Sequence, residues 1–238
     1  MPLLTPANVR FEAAIFDYNG VIGMQPTPQM WERLAALAGW PAGRSADFET
    51  AFWARRELYD AGVTSTHDFW ADLLIGNLTA PPGSTLLDTL RRADAEMWTH
   101  TDEAVISVLR EAHSAGLRMV LLSNAPRPLA DALDQSSWCN TLMTKTLYSA
   151  RLGVTKPSPR AYEAALVAAG WPRPERTLFV DDRLDNCAAA EQLGLHAWHF
   201  NGDPEALASS LRPPSVMQAA AVPIPTREAV GTGRRLPR

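Results

Sequence analysis

Apolar residues along this chain follow two different periods, and the change between them divides the sequence. Ala13-Ala14-Ile15-Phe16 is a short continuous apolar run, which predicts a buried strand ending at Asp17 and turning through Asn19-Gly20. From Pro28 the period becomes helical. Met30, Leu34, Leu37 and Ala38 share one face, and Phe48, Phe52, Arg55 or Arg56 and Tyr59 share the next. A third helix is expected from about Ser65 to Asn77, with Thr64-Ser65-Thr66 offering N-caps, and a fourth follows Pro81-Pro82-Gly83 to near Trp98. Residues 24–99 therefore read as an all-helical insert.

From Asp102 the two periods alternate. Helices over 103–115, 127–135, 158–169 and 185–193 separate strands over 118–122, 146–149, 177–181 and 195–200. Gly116, Gly170 and Gly194 stand just past helix ends, the usual place for a left-handed C-cap. Strands and helices alternating through short loops predict an α/β fold, a Rossmann-like parallel sheet covered on both faces. The expected organisation is a core over 1–23 and 100–212, a small helical cap over 24–99, and a tail from 213 to 238. Pro213-Pro214, Pro223, Pro225 and Arg234-Arg235 leave that tail too little apolar periodicity to pack, so disorder is expected there.

Composition narrows the class. A hydrophobic fraction of 46% and a charged fraction of 20% are those of an ordinary water-soluble domain. Net charge is -4 without a basic stripe, which argues against nucleic acid as a partner. No apolar run nears the roughly eighteen residues of a membrane span, and the first residues lack a signal-peptide pattern. Cys139, near a helix end, and Cys187, within a helix, make no disulfide framework and suit a reducing compartment. The expectation is a cytoplasmic protein with no membrane partner.

The chemistry lies at strand ends. In a parallel sheet the carboxyl ends share one edge, and ligands bind in the crevice there. That edge would gather Asp17, Ser123 after Met119-Val120-Leu121-Leu122, Lys156 within Gly153-Val154-Thr155-Lys156-Pro157, and Asp181-Asp182 after Thr177-Leu178-Phe179-Val180. A carboxylate, a hydroxyl, an ammonium and a carboxylate pair suit a divalent cation and a phosphoryl group.

The segments Phe16-Asp17-Tyr18-Asn19-Gly20-Val21, Leu122-Ser123-Asn124, Lys156-Pro157 and Val180-Asp181-Asp182 resemble, in order, the four motifs of the haloacid dehalogenase superfamily. The resemblance runs from about Ala13 to His199, and the helical insert is similar to that superfamily's small cap. The second half most resembles the branch of small-molecule phosphatases and the phosphatase domain of soluble epoxide hydrolase. It implies Asp17 as nucleophile, and Asp17, Asn19 (through its carbonyl), Asp181 and Asp182 as holders of Mg²⁺. Ser123 and Asn124 would bind the phosphoryl group, Lys156 would neutralise charge, and Arg127 and Arg55 would reach an anionic substrate. The implied partner is a small phosphorylated metabolite, with the chain a monomer or homodimer.

One position departs from the pattern. Two residues after the nucleophile most of the family's phosphatases carry a second Asp as general acid and base, and here it is Asn19. An amide neither gives nor takes a proton, and losing that help typically removes about 10²–10⁴ in rate. The outcomes that follow are a slow phosphatase, a substrate whose leaving group needs little protonation, an acid recruited from the cap or the substrate, or a non-catalytic protein that binds a phosphorylated ligand. A dehalogenase needs no cation and so leaves Asp181-Asp182 unexplained. A phosphomutase would also want the missing acid. Arg183 is expected to pair with the acid pair, and Asn186, a turn further on, to orient it. Trp31, Phe48, Phe52, Trp53, Tyr59 and Trp70 read as packing for the insert rather than a substrate box, with Met24 and Gln25 at its hinge.

Overall fold

The computed structural model describes residues 11–74 and 83–211. Its elements in chain order are β1 (Ala13–Phe16), four helices α1 (Pro28–Leu37), α2 (Ser45–Asp60), α3 (Thr66–Leu74) and α4 (Ser84–Met97), then α5 (Glu103–Ser114) and β2 (Arg118–Ser123). There follow α6 (Arg127–Asp134), α7 (Ser137–Leu142), β3 (Lys145–Tyr148), α8 (Ser149–Leu152) and α9 (Pro159–Ala168). The chain continues through β4 (Thr177–Asp181), α10 (Leu184–Gln192), β5 (His196–His199) and α11 (Pro204–Leu211).

All five strands are parallel, in the order β3-β2-β1-β4-β5. The chain starts in the middle, builds outward to one side, then returns to build the other, so β1 and β4 flank the point where strand order reverses. Phe16 is level with Leu121 on one side and Val180 on the other. The residues just beyond, Asp17, Ser123 and Asp181, therefore emerge at one edge.

Alternation along the strands explains why both faces are covered. Ala14, Phe16, Met119, Leu121, Leu178 and Val180 belong to one apolar cluster, which also takes in the helical insert. Ala13, Ile15, Val120, Leu122 and Phe179 belong to a second, packed on Ala161, Tyr162, Ala165 and Ala190 of α9 and α10. Period-two side chains with both sets buried are the mark of a parallel sheet between helix layers.

In the insert, Phe48, Phe52, Arg56 and Tyr59 form the buried face of α2. Trp31 meets Phe52 edge-on at 5.1 Å between ring centroids and Trp98 at 6.1 Å, so aromatic rings fill the space between α1, α2 and the end of α4. The buried arginine is Arg56, with Nε 2.7 Å from Asp60 Oδ1 and a terminal nitrogen 3.3 Å from Asp94 Oδ1. Trp98 Nε1 also donates to Asp94, at 3.1 Å.

The insert touches the core at a tight seam. Ser149 Oγ donates to the Asp60 carbonyl at the end of α2 and accepts from the Ala125 amide at 2.9 Å. Beside it Gly62, at φ +72°, leaves no room for a side chain, since a Cβ would meet the Ala150 carbonyl oxygen at 2.6 Å.

Ser65 caps the third helix, its Oγ accepting from Asp68 N at 3.0 Å. Residues 75–77 of the expected helix lie outside the described residues, as does the expected tail from 213. Three elements went unanticipated. α7 and α8 are six and four residues long, too short for a period to register, and Cys139 is the third residue of α7. α11 was legible: Asp203 Oδ1 accepts from Glu205 N and Ala206 N, and Pro204 occupies the first helical position.

Candidate active site

Lys156 is the hub of the edge. Its Nζ lies 2.6 Å from Asp17 Oδ1 and 2.7 Å from Asp181 Oδ2, and the side chain is buried. The loop carrying it is held by Asn124, whose Nδ2 donates to the Lys156 carbonyl at 2.9 Å while its Oδ1 accepts from the Lys156 amide at 2.9 Å. Asp17 is fixed at the other side by its own amide, which donates to the Val180 carbonyl at 2.9 Å.

Asp17, Asp181 and Asp182 each offer an oxygen, and these atoms lie within 4.8 Å of one another. Asn186 Nδ2 donates to both oxygens of Asp181, at 3.0 and 3.1 Å. The turn after β1 closes on Asp182: Gly20, at φ +78°, lies so near its carboxylate that a Cβ would overlap Asp182 Oδ2. Two further atoms are buried without a hydrogen-bond partner, Ser123 Oγ and Asn19 Oδ1. Buried polar atoms are nearly always paired, and these two orphans belong to the turn after β1 and the end of β2, on the edge that carries the carboxylates.

The electrostatics agree. Burial pushes the Asp17 carboxyl above its usual range; Lys156 pulls it down, and Asp181 raises it again. Burial raises Asp182 as well, with Asp181 adding to it. For Lys156 burial alone would lower the ammonium, but Asp17 and Asp181 reverse that and hold it protonated. Three carboxylates face one ammonium, an excess of two negative charges. An oxygen-only donor set with that charge fits a hard divalent cation.

Other expected contributors stand elsewhere. Arg55 is exposed and its guanidinium donates to the Ala51 carbonyl of its own helix at 3.0 Å. Its neighbour Arg56 is held by Asp60 and Asp94. No hydrogen bond or ion pair among the described residues joins either arginine to the carboxylate cluster. Arg127 is exposed at the first turn of α6. Asn124 has both ends of its amide on the Lys156 backbone, which makes it a positioning residue. Arg183 pairs through its guanidinium with Asp185 at 2.6 Å rather than with the acid pair, to which it is joined by its backbone amide, a donor to Asp181 Oδ1 at 2.9 Å. Gly20 is read from sequence only as part of a turn and a motif, without its approach to Asp182, and Ser149 is not singled out at all. The Asn19-Gly20 turn was a signal for the first, and nothing marked the second.

A parallel sheet in this order, with Asp17 just past the central strand and an acid pair at the end of the strand beside it, defines a Rossmann-like α/β fold. Residues 11–194 match the family model described as haloacid dehalogenase-like hydrolase, and the chain belongs to that family. The sesquiterpene phosphatase astK of Aspergillus oryzae is 30% identical over 191 residues, covering 80% of this chain and 90% of that one. Phosphatase MT3486 of Mycobacterium tuberculosis is 27% identical over 187 residues, covering 78% and 85%. Among solved structures, a haloacid dehalogenase family enzyme, bt-2542 of Bacteroides thetaiotaomicron, superposes with a TM-score of 0.64 at 17% identity. The match covers 81% of this chain and 96% of that one, whose structure is a complex with magnesium and inorganic phosphate. The protein is a hydrolase of the phosphatase type. No described helix is long and apolar enough to cross a membrane.

Proposed function

We infer that the chain hydrolyses a small phosphomonoester with Mg²⁺, through an aspartyl-phosphate on Asp17. The observation that carries this is the charge balance of the edge: Asp17, Asp181 and Asp182 against Lys156 alone. Asp17, Asp181, Asp182 and the Asn19 carbonyl would hold the cation. When bound, the ion neutralises the carboxylates and polarises the phosphoryl oxygens. Asp17 Oδ attacks phosphorus in line, and Lys156 offsets the charge of both reactants. Ser123 Oγ donates to a phosphoryl oxygen, which gives this orphaned hydroxyl its partner. Residues 24–99 act as a cap that covers the edge and reads the leaving group. Two relatives named phosphatases, and a structural neighbour solved with magnesium and phosphate, support the reading.

The test is phosphate release from sugar phosphates, nucleotides, p-nitrophenyl phosphate and a prenyl phosphate, with and without Mg²⁺. The prenyl compound is included because one relative is named a sesquiterpene phosphatase. Asp17→Asn should lower turnover by on the order of 10⁴ or more; activity that survives the change rules out the nucleophile. Asn19 favours a second reading, a protein that binds a phosphorylated ligand without cleaving it. Calorimetric binding with no phosphate released over hours would select that reading.

A further inference from the structure

Asn19 stands two residues beyond Asp17, in the turn that Gly20 presses against the Asp182 carboxylate. Its Oδ1 is buried and has no partner. An amide cannot protonate a departing oxygen or deprotonate water. Its neighbours are committed. Lys156 Nζ is held between Asp17 and Asp181, and His199 Nε2 donates to the Asp182 carbonyl at 2.9 Å. The three carboxylates are the cation's ligands in the reading above. Among the described residues, the side chains bonded into this edge thus combine a carboxylate placed for attack with no uncommitted proton donor.

We propose that the preferred substrate is an alkyl diphosphate, cleaved at its terminal phosphorus, and that the aspartyl-phosphate accumulates during turnover. This rests on Asp17 as nucleophile and goes beyond that reading in one respect: the bond cleaved at the same site is a phosphoric anhydride rather than the ester bond of a phosphomonoester. The leaving group is then an alkyl monophosphate, whose second pKa is about 6. An alkoxide's conjugate acid titrates near that of water, roughly 16. The first departs as a stable anion at neutral pH and the second does not.

In the first step the Asp17 Oδ–P bond forms and the bridging P–O bond breaks, its electron pair leaving on the alkyl monophosphate dianion. In the second, water attacks the aspartyl-phosphate and the Oδ–P bond breaks to restore the carboxylate. One water proton stays on the released hydrogen phosphate and the other passes to solvent. Asn19 Oδ1 accepts a hydrogen bond from that water and aims it without removing its proton, so the second step lags behind the first.

The experiment compares butyl diphosphate, butyl phosphate and p-nitrophenyl phosphate with the unmodified chain and Mg²⁺, alongside acid-quench trapping of label from terminally ³²P-labelled butyl diphosphate. The diphosphate should exceed butyl phosphate in kcat/KM by about 10²–10⁴, the usual reach of general acid–base help. Label should be trapped on the protein at a large fraction of one per chain. Asn19→Asp should raise butyl phosphate turnover by a similar factor and abolish the trapped label. Equal rates on the two butyl compounds, or p-nitrophenyl phosphate cleaved while butyl diphosphate is not, overturn the proposal and leave Asp17's role intact. No label and no turnover from either form overturn the phosphatase reading together with it. If Asn19→Asp does not fold, the leaving-group series and the trapping on the unmodified chain still decide.

Discussion

Two buried clusters in this molecule share a design, one cation between two carboxylates. In the insert, Arg56 sits between Asp60 and Asp94, and at the sheet edge Lys156 sits between Asp17 and Asp181. The insert's cluster is closed. The guanidinium also lies over the rings of Phe52, Tyr59 and Trp98 at 4.9–5.7 Å, and none of the three charged side chains leaves a buried polar atom orphaned. The edge cluster is open: a third carboxylate, Asp182, is only half-buried, and Ser123 Oγ and Asn19 Oδ1 lack partners. A buried ion pair alone is therefore weak evidence of function. What distinguishes the edge is unfinished hydrogen bonding together with an unbalanced carboxylate, since Trp40 and Trp70 of the insert also bury unpaired indole nitrogens without a charged group at fault.

The contrast breaks first at Arg56. Arg56→Met strands Asp60 and Asp94 and should destabilise the fold by about 3–5 kcal/mol in urea unfolding, while the folded fraction keeps its turnover. Activity lost at full stability would move this cluster into the site.

A somewhat smaller effect is expected with pH. Burial pushes the Asp60 carboxyl up to about 6, against the pull of Arg56, and Asp94 shifts the same way for the same reason. Between about pH 4 and 6 the folded chain holds more protons than the unfolded one, so this contribution to stability falls as pH rises through that window. Asp60→Asn should flatten it, changing the wild-type-minus-variant difference by about 3 kcal/mol across the range. A difference that stays constant with pH would mean Asp60 is ionised throughout.

The smallest stability effect belongs to the open cluster. Ser123→Ala removes an unpaired buried hydroxyl and should leave stability within about 1 kcal/mol of wild type, on the higher side. Phosphatase turnover should nevertheless fall by about 10²–10³. A variant that loses stability but keeps its rate would make Ser123 a strut after all.

Much of the edge was legible because strand ends advertise themselves. Asp17, Ser123 and Asp181 each close an apolar run of four residues or so, and parallel pairing puts run ends together without further information. What stayed hidden depends on side-chain direction. The α2 period admitted Arg55 or Arg56 on the buried face, and packing decided for Arg56 because Asp94, from a helix far along the chain, waits there. Arg183 looked like a partner for the acid pair until its backbone amide proved to be the bonded group. α7 and α8 hide for want of length, and α11 was missed although Asp203-Pro204 marks its start.

The seam at Ser149 carries a mechanical consequence. The hydroxyl that fastens the end of α2 also receives the Ala125 amide, two residues beyond Ser123. Any swing that parts insert from core at this point must break a bond worth only about 0.5–1.5 kcal/mol net, roughly a tenfold change in population at most. A clasp of that strength ties the end of α2 to the loop behind Ser123 without locking the two together.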